Sequence, residues 1–131
     1  MKKMYMNLLT IVAISGIITA QANAATYLQN HYGLPIQYTE LSPSMIINFP
    51  GAEPIHKIGN GQRVKIDSSF LSIRTVDGRW YDLTPELQKT FDPNEQKMHP
   101  YQDAVIYVLP SYFTWNIRVD WEKRQESRMK K

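Results

Sequence analysis

Apolar and polar residues alternate most regularly near the end of the chain, from Tyr112 to Trp121. Every second residue of this segment is large and apolar: Phe113, Trp115, Ile117, Val119 and Trp121. A period of two places these side chains on one face of a β-strand, whereas a helix would scatter them around its circumference. The segment therefore predicts a half-buried strand.

Shorter runs of the same kind recur along the chain, with Gly, Pro and Asn between them. These predicted strands are 26–32, 36–41, 44–49, 55–58, 62–67, 70–76, 79–83 and 103–109. The strongest turn signal is Asp77-Gly78, because this dipeptide reaches the positive φ angles of a tight hairpin turn. The run at 103–109 is apolar on both faces and predicts a central strand.

About eight short strands with regularly spaced turn signals are typical of an all-β domain. We expect a small antiparallel β-sandwich, or a partly open barrel, with one short helix near 85–91. Thr84-Pro85-Glu86 supplies an N-cap, a proline suited to the first turn and an acid. The segment from Tyr27 to Tyr38 resembles the first hairpin of many β-sandwich domains. The segment 92–102 has no periodicity and predicts the longest loop.

The first 24 residues predict an export signal. Lys2 and Lys3 precede an apolar run at 8–18, and Ala22-Asn23-Ala24 is a small-x-small cleavage site. These are the three parts of a secretory signal peptide. The run has about 11 residues, whereas a membrane-spanning helix needs about 20; an uncleaved anchor is the alternative. We expect cleavage after Ala24, one domain at 25–121, a charged tail at 122–131, and a periplasmic or secreted bacterial protein without a transmembrane span.

Composition narrows the function classes. The chain has 131 residues and no Cys, which excludes disulfides, a thiolate nucleophile and cysteine-ligated metal sites. Its net charge is +3, yet residues 25–121 hold 8 basic against 10 acidic residues. A nucleic-acid-binding face needs basic residues clustered on the domain itself, so no nucleic-acid partner is expected. Motifs for phosphate or dinucleotide binding, zinc proteolysis and the nucleophile elbow are absent from the sequence.

Residues able to perform chemistry are scattered along the chain. The three histidines are His31, His56 and His99. Their wide spacing offers no local pair of metal ligands, so neither a metal nor a cofactor is expected. Asp77 and Asp82 fall beside the predicted hairpin and Glu86 beside a helix start, where carboxylates have structural roles. We predict no catalytic residue from these patterns.

Aromatic residues carry the strongest binding signal, because an exposed Tyr offers both an apolar ring and a hydroxyl. The candidate binding residues are Tyr81, Tyr101, Tyr107, Tyr112 and His99. The predicted loop at 92–102 is a further candidate contact region. The basic residues of the tail predict a weak contact with an anionic surface.

Three functions remain open at this point. The first is an exported, non-enzymatic module that binds an envelope or extracellular protein, by a Tyr-rich face, the 92–102 loop or an edge strand. The second is a small-ligand or glycan binder with a concave aromatic site. The third is a small hydrolase whose histidines and carboxylates meet only in the fold, with perturbed pKa values.

Overall fold

The computed structural model describes residues 24–48, 51, 54–112 and 114–124. Apart from Ala24, the predicted signal peptide lies outside the described residues. Phe113 of the predicted last strand and residues 125–131 of the predicted tail lie outside them as well.

The described residues form two four-stranded sheets and three short helices. The strands are β1 (Thr26–Asn30), β2 (Ile36–Thr39), β3 (His56–Ile58), β4 (Arg63–Ile66), β5 (Ser72–Arg74), β6 (Trp80–Asp82), β7 (Gln102–Pro110) and β8 (Trp115–Lys123). The helices are α1 (Pro43–Asn48), α2 (Thr84–Thr90) and α3 (Pro93–Met98). Sheet A has the order β4-β1-β7-β8, and sheet B has the order β3-β2-β5-β6.

The core lies between the two sheets. Its fully or almost fully buried members are Leu28, Ile36, Ile58, Ile66, Leu71, Ile73, Leu83, Leu87, Ile106 and Val108. Both sheets contribute, which confirms the small all-β sandwich that the alternation predicts. Trp115, Ile117 and Val119 of β8 pack against this core, as expected because they occupy every second position of the strand. Helix α2 confirms the predicted helix near 85–91, and it inserts Leu87. The predicted Thr84 N-cap is wrong: Thr84 is the first helical residue, and Leu83 occupies the cap position without a side-chain hydrogen bond.

Sheet A departs from the antiparallel expectation at one pair of strands. β1 and β7 run parallel, with Thr26 facing Ala104 and Asn30 facing Val108. The other neighbouring strands of both sheets are antiparallel. Parallel neighbours need a long connection, and here the chain passes through sheet B between β1 and β7.

One corner of the sandwich is tied together by Asn30, whose side chain is fully buried. Its amide nitrogen donates to the carbonyl oxygens of Leu34 at 2.8 Å and Ile58 at 3.0 Å. Its Oδ1 accepts from the backbone N–H of Tyr32 at 2.8 Å. The β1–β2 and β3–β4 connections both cross between the sheets here. The segment from Tyr27 to Tyr38 is therefore a corner between sheets and not the expected hairpin.

Residues 44–49 were expected to form a strand, and that expectation is wrong for the described part, which is helix α1. The Ser42 carbonyl accepts from Ile46 N–H at 3.1 Å. Its hydroxyl oxygen accepts from Met45 N–H at 3.4 Å, as in an N-cap. The apolar run Met45-Ile46-Ile47 has the composition of a strand, but Ser42-Pro43 before it is a helix start signal.

The segment 92–102 is not one long loop, because helix α3 occupies Pro93–Met98. Asp92 caps this helix, and its Oδ1 accepts from Asn94 N–H at 3.0 Å. The three helices have six, seven and six residues. Among the described residues, none is long and apolar enough to cross a membrane.

The folded chain extends into the segment assigned to the tail. Strand β8 continues to Lys123, and Arg124 is buried. The Arg124 Nε donates to the Asp103 carboxylate at 3.2 Å, with both side chains only 8% exposed. Charged residues near the end of β8 thus serve the fold, which alternation alone does not reveal.

Candidate functional site

Polar and aromatic side chains converge on the face of sheet A that is turned away from the core. Leu28, Ile106 and Ile117 point inward, and their alternating neighbours point outward. Strand register then aligns four outward residues in one row across the sheet: Arg63, Gln29, Tyr107 and Arg118. With their neighbours they form the outer-face cluster, which comprises Tyr27, Gln29, His31, Arg63, Tyr107, Arg118, Asp120 and Glu122.

Arg63 is the centre of the outer-face cluster. Its Nε donates to Gln29 Oε1 at 2.6 Å, and its Nη2 donates to Glu122 Oε1 at 3.0 Å. The same Nη2 lies 3.4 Å from the Tyr107 hydroxyl, which in turn donates to Glu122 Oε2. One guanidinium from β4 therefore links β1, β7 and β8. The planar, fixed fork of donors in Arg is suited to such a role.

Two tyrosine rings of the cluster have a cation over one face. The Arg63 guanidinium carbon lies 5.5 Å from the Tyr27 ring centroid. The Arg118 guanidinium carbon lies 5.2 Å from that of Tyr107. Arg118 also donates through Nε to Asp120 at 2.9 Å. Both distances fall within the range of cation–π attraction, so the rings and the cations restrain one another.

His31 extends the cluster toward the β1–β2 corner. Its Nε2 lies 2.6 Å from Gln29 Nε2, and its ring centroid lies 5.1 Å from that of Tyr107. Since an amide nitrogen is only a donor, the imidazole Nε2 accepts and the ring proton lies on Nδ1. Nδ1 is then the ring nitrogen of His31 that can donate a hydrogen bond.

Tyr107 and Glu122 shift each other's titration away from neutral pH. Burial raises the pKa of Tyr107, and its hydrogen bond to Glu122 adds to this increase. The same hydrogen bond lowers the pKa of Glu122, with further lowering from Arg63. A general acid or base works best with a pKa near the working pH. Near neutral pH, Glu122 therefore stays ionised and Tyr107 keeps its hydroxyl proton. Such a pair is better suited to hydrogen bonding than to proton transfer.

As the pH is lowered below about 5, we expect the free energy of unfolding to fall less steeply in Tyr107→Phe than in wild type. The folded pKa of Glu122 lies below its usual 4.5. Ionised Glu122 therefore adds to the stability of the folded state at pH values above about 4.5, and this stabilisation is lost as the pH falls through the folded pKa. Removing the hydroxyl removes the largest cause of the lowered pKa. Because the Glu122 side chain is 36% exposed, the loss at pH 7 should stay below about 1 kcal/mol.

Urea unfolding of the two proteins at pH 7, 5 and 3 measures this difference. The matched control is Tyr27→Phe, which removes a phenol hydroxyl from the same face. Parallel loss of stability in wild type and Tyr107→Phe between pH 5 and 3 would show that Tyr107 does not hold the Glu122 pKa down.

Of the residues predicted from the sequence, Tyr107 is the one that belongs to the outer-face cluster. Tyr81 lies on β6 of sheet B and is half-buried. Its ring packs edge-on against Trp115, with centroids 4.8 Å apart, and its hydroxyl donates to Asp77. This hydrogen bond raises the pKa of Tyr81 and lowers that of Asp77. These contacts stabilise the β5–β6 hairpin.

Three other predicted residues lie outside the cluster. Tyr101 precedes β7 with a φ of 60° and 46% exposure, and Tyr112 follows β7 with 90% exposure. Nine residues of strand separate them, which is roughly 30 Å. His99 ends α3 and stacks on Trp121, with ring centroids 4.6 Å apart. The structure does not assemble the predicted residues into one site, and their part in binding stays a prediction.

Sequence reasoning missed Arg63 and Glu122 as members of the site. They are 59 residues apart and meet only because β4 and β8 share a sheet. The one available signal was alternation, since both residues occupy polar positions between apolar ones. Alternation predicts which side chains face outward from a strand, but it does not reveal which strands are neighbours.

The histidines do not meet in the fold. His31 lies on the outer face of sheet A, His56 stacks on Tyr38 at 5.0 Å, and His99 stacks on Trp121. In the part of the chain that the structure describes, no group of three His, Asp or Glu side chains is placed to hold a metal.

Two depressions in the described surface have volumes of about 190 and 200 Å³. The first is lined by Ala24–Thr26, Lys65–Asp67 and Phe91, and the second by Lys89, Thr90, Glu95, Val119 and Trp121. Small-molecule sites usually have about 300–1,000 Å³, so neither would enclose a ligand of that size. No protein-family model, curated protein or solved structure matches the chain, and function is therefore inferred from the chemistry of its surfaces.

Proposed function

We propose that the protein is an exported, non-enzymatic binding module that recognises another protein through the outer-face cluster of sheet A. The observation that carries this proposal is the Arg63 network, which joins side chains from all four strands of the sheet. Tyr and Arg are the residues most enriched at the centres of protein interfaces. Side chains already held in place lose less conformational entropy when a partner binds.

The geometry favours a protein over a glycan. The row from Arg63 to Arg118 crosses three strand spacings, or roughly 14 Å of the sheet face, and Tyr107 within it is only 8% exposed. Sugar rings bind by stacking on exposed aromatic faces, but Arg63 and Arg118 already lie over one face of Tyr27 and of Tyr107. A protein partner can instead contact the guanidinium groups and the exposed part of Tyr27, while the buried Tyr107 holds Arg63 and Glu122 in place.

The titration behaviour favours binding over catalysis. The pKa of Tyr107 is raised by burial and that of Glu122 is lowered by the Tyr107 hydroxyl. Both groups thus keep one protonation state through the neutral range. A hydrolase needs the opposite arrangement, in which an acid or base titrates near the pH at which it works.

The charges of the cluster indicate what a partner would present. Arg63 and Arg118 are each paired with a carboxylate, at 3.0 and 2.9 Å, and these pairs are partly exposed. Exposed pairs contribute little stability, so a partner carboxylate can replace the internal one at small cost. We therefore expect a partner surface with Asp or Glu beside apolar groups, and binding that weakens as salt is raised.

Export belongs to the same proposal. Its support is the three-part pattern of residues 1–24, and the lack of Cys fits an oxidising compartment. We place the working protein in the bacterial periplasm or outside the cell.

Arg63→Ala is expected to weaken partner binding at least tenfold, as is usual for an arginine at an interface centre. The matched control is Arg74→Ala on sheet B. Arg74 likewise donates to a glutamine, Gln37 at 2.7 Å, and lies 4.5 Å from an aromatic ring, that of Trp80. Both variants lose a hydrogen bond to a glutamine and a contact with an aromatic ring, on different sheets; Arg63→Ala also loses the ion pair with Glu122.

The measurement begins with capture of envelope proteins on immobilised wild-type protein, followed by titration of the purified partner. A dissociation constant raised tenfold or more by Arg63→Ala, and less than threefold by Arg74→Ala, supports the proposed face. Equal effects of the two variants would contradict it. A thermal shift with peptidoglycan fragments or common sugars that Arg63→Ala abolishes would replace the protein partner by a glycan.

A further inference from the structure

We propose that the mature protein binds its own new N-terminus: the α-ammonium group of Ala25 pairs with the buried carboxylate of Asp103. This inference rests on the proposed export and on cleavage after Ala24. It concerns a second set of side chains at the beginning of β1, next to Glu122 of the outer-face cluster in the β7–β8 register. Removal of the leader would then create the charged α-ammonium group of Ala25 directly beside the Asp103 carboxylate.

The geometry at Ala25 carries the proposal. The backbone nitrogen of Ala25 lies 2.9 Å from Asp103 Oδ1, and the two residues are 5% and 6% exposed. The Ala25 carbonyl accepts from Ala104 N–H at 2.9 Å, so the residue is held on both sides. A side-chain carboxylate is thus aimed at one particular backbone nitrogen, 78 residues away along the chain.

The change from accessible to buried chain falls at the proposed scissile bond. Ala24 is half-buried and lines the depression of about 190 Å³, whereas Ala25 is buried. Ala24, on the N-terminal side of this bond, is thus more accessible than Ala25, with which the buried part of the sandwich begins. An N-terminus at Ala25 would begin where burial begins.

Cleavage changes the chemistry of this nitrogen. A leader-removing protease uses water to hydrolyse the Ala24–Ala25 amide: the hydroxyl joins the Ala24 carbonyl carbon, and a proton joins the Ala25 nitrogen. The new carboxyl group of Ala24 loses its proton, and the Ala25 amine gains one. A neutral amide with one hydrogen becomes a cation with three. The neutral N–H donor becomes a cationic one, so Coulomb attraction between ammonium and carboxylate is added to the hydrogen bond with Asp103.

The surrounding charges can accommodate this cation. Arg124 already donates to the same Asp103 oxygen, at 3.2 Å. Glu122 lies directly opposite Asp103 in the β7–β8 register, but its two carboxylate oxygens accept from Arg63 and from the Tyr107 hydroxyl. Asp103 is therefore the carboxylate available to the new ammonium, which shares it with Arg124. The capture joins the first residue of the mature chain to both β7 and β8.

The test uses the full chain, expressed with its leader in a bacterium and purified after export. Its intact mass should equal that of residues 25–131. The folded protein is then treated at pH 7 with an amine-acylating reagent, and acylation of the Ala25 α-amine is followed by peptide mapping. We expect the reaction to be at least tenfold slower in the folded protein than in the same protein in denaturant, because a paired, buried ammonium is not a nucleophile.

Two variants separate capture from burial alone. Asp103→Asn keeps the shape of the side chain and removes its charge, and it should restore most of the α-amine reactivity. Insertion of one Gly between Ala24 and Ala25 moves the ammonium one residue away and should lower Tm by about 5 °C. If Asp103→Asn does not fold, the insertion variant alone decides the question.

The outcomes are distinguishable. A purified protein that keeps residues 1–24, or that begins at another residue, would overturn the proposed cleavage and the capture with it. Cleavage after Ala24 with an α-amine that reacts equally fast in folded and denatured protein would overturn the capture alone. So would a Gly insertion that leaves Tm unchanged. Binding of the partner is measured separately with Arg63→Ala, so failure of the capture and failure of the proposed binding face are distinguishable.

Discussion

Replacing Asn30 with alanine is expected to lower the free energy of unfolding by about 3–5 kcal/mol. The side chain is fully buried and makes hydrogen bonds to Leu34, Ile58 and Tyr32. Its loss leaves two carbonyl oxygens and one N–H without this partner at the corner where two connections cross. An unsatisfied buried polar group costs about 1–3 kcal/mol. Equilibrium unfolding in urea, monitored by tryptophan fluorescence, measures the change.

Two further substitutions make the Asn30 test specific. Asn60→Ala removes one exposed hydrogen bond at the same corner, from Gly33 N–H at 2.9 Å, and should cost less than about 1 kcal/mol. Asn30→Asp keeps the shape but turns the donor nitrogen into an oxygen that faces two carbonyl oxygens. It should therefore be at least as destabilising as alanine. If Asn30→Asp were as stable as wild type, the two donated hydrogen bonds would not be holding the corner.

Ile106→Ala is expected to cost about 3–5 kcal/mol, the range for large buried aliphatic side chains. Ile106 is fully buried on β7, which lies between β1 and β8 in sheet A. Its side chain belongs to the cluster that both sheets enclose, so truncation leaves a cavity that neighbouring strands cannot easily close. Urea unfolding again provides the measurement, with a smaller loss of about 0.5–1.5 kcal/mol for Ile106→Val.

The matched control for Ile106 is Ile47 of α1, which is 76% exposed. Ile47→Ala should change the free energy of unfolding by less than about 0.5 kcal/mol. Similar losses for the two alanine variants would contradict the placement of Ile106 in the core. A cost near 1 kcal/mol for Ile106→Ala would mean that the sheets relax around the missing side chain.

Local signals were enough to predict most strands. The alternation ending at Trp121 appears as β8, and the apolar run 103–109 appears as the buried strand β7. The Asp77-Gly78 turn joins β5 to β6, with Gly78 at a φ of 78° and Asp77 accepting from Arg79 N–H at 3.1 Å. Each of these features depends on residues a few positions apart, where periodicity and turn chemistry act directly.

Helices α1 and α3 differ from the predictions because their start signals are short. Asp92-Pro93 begins α3 in a segment that has no hydrophobic periodicity. Ser42-Pro43 begins α1 directly before the apolar run Met45-Ile46-Ile47, which favours a strand. A proline both ends one helix and suits the first turn of the next, so its direction of action is ambiguous in the sequence.

The candidate site was less predictable than the fold. Tyr107 was identified from its chemistry, but its partners Arg63 and Glu122 come from strands far apart in the sequence. Tyr101 and Tyr112 were grouped with it although β7 separates them. The pairing of strands in the folded protein determines which strands are neighbours. It also determines whether a given tyrosine is exposed or buried. Neither the composition nor the period of a single segment contains that information.

The parallel pairing of β1 with β7 determines when the chain can fold. Thr26 and Ala104 are strand neighbours 78 residues apart, and β7 and β8 make up half of sheet A. Contacts so distant in the chain form slowly, because a large loop must close before any of them is gained. Until residues 102–123 have been synthesised, β1 lacks its neighbour on one side and the core lacks Ile106 and Val108. The complete core can therefore form only after most of the chain has been synthesised.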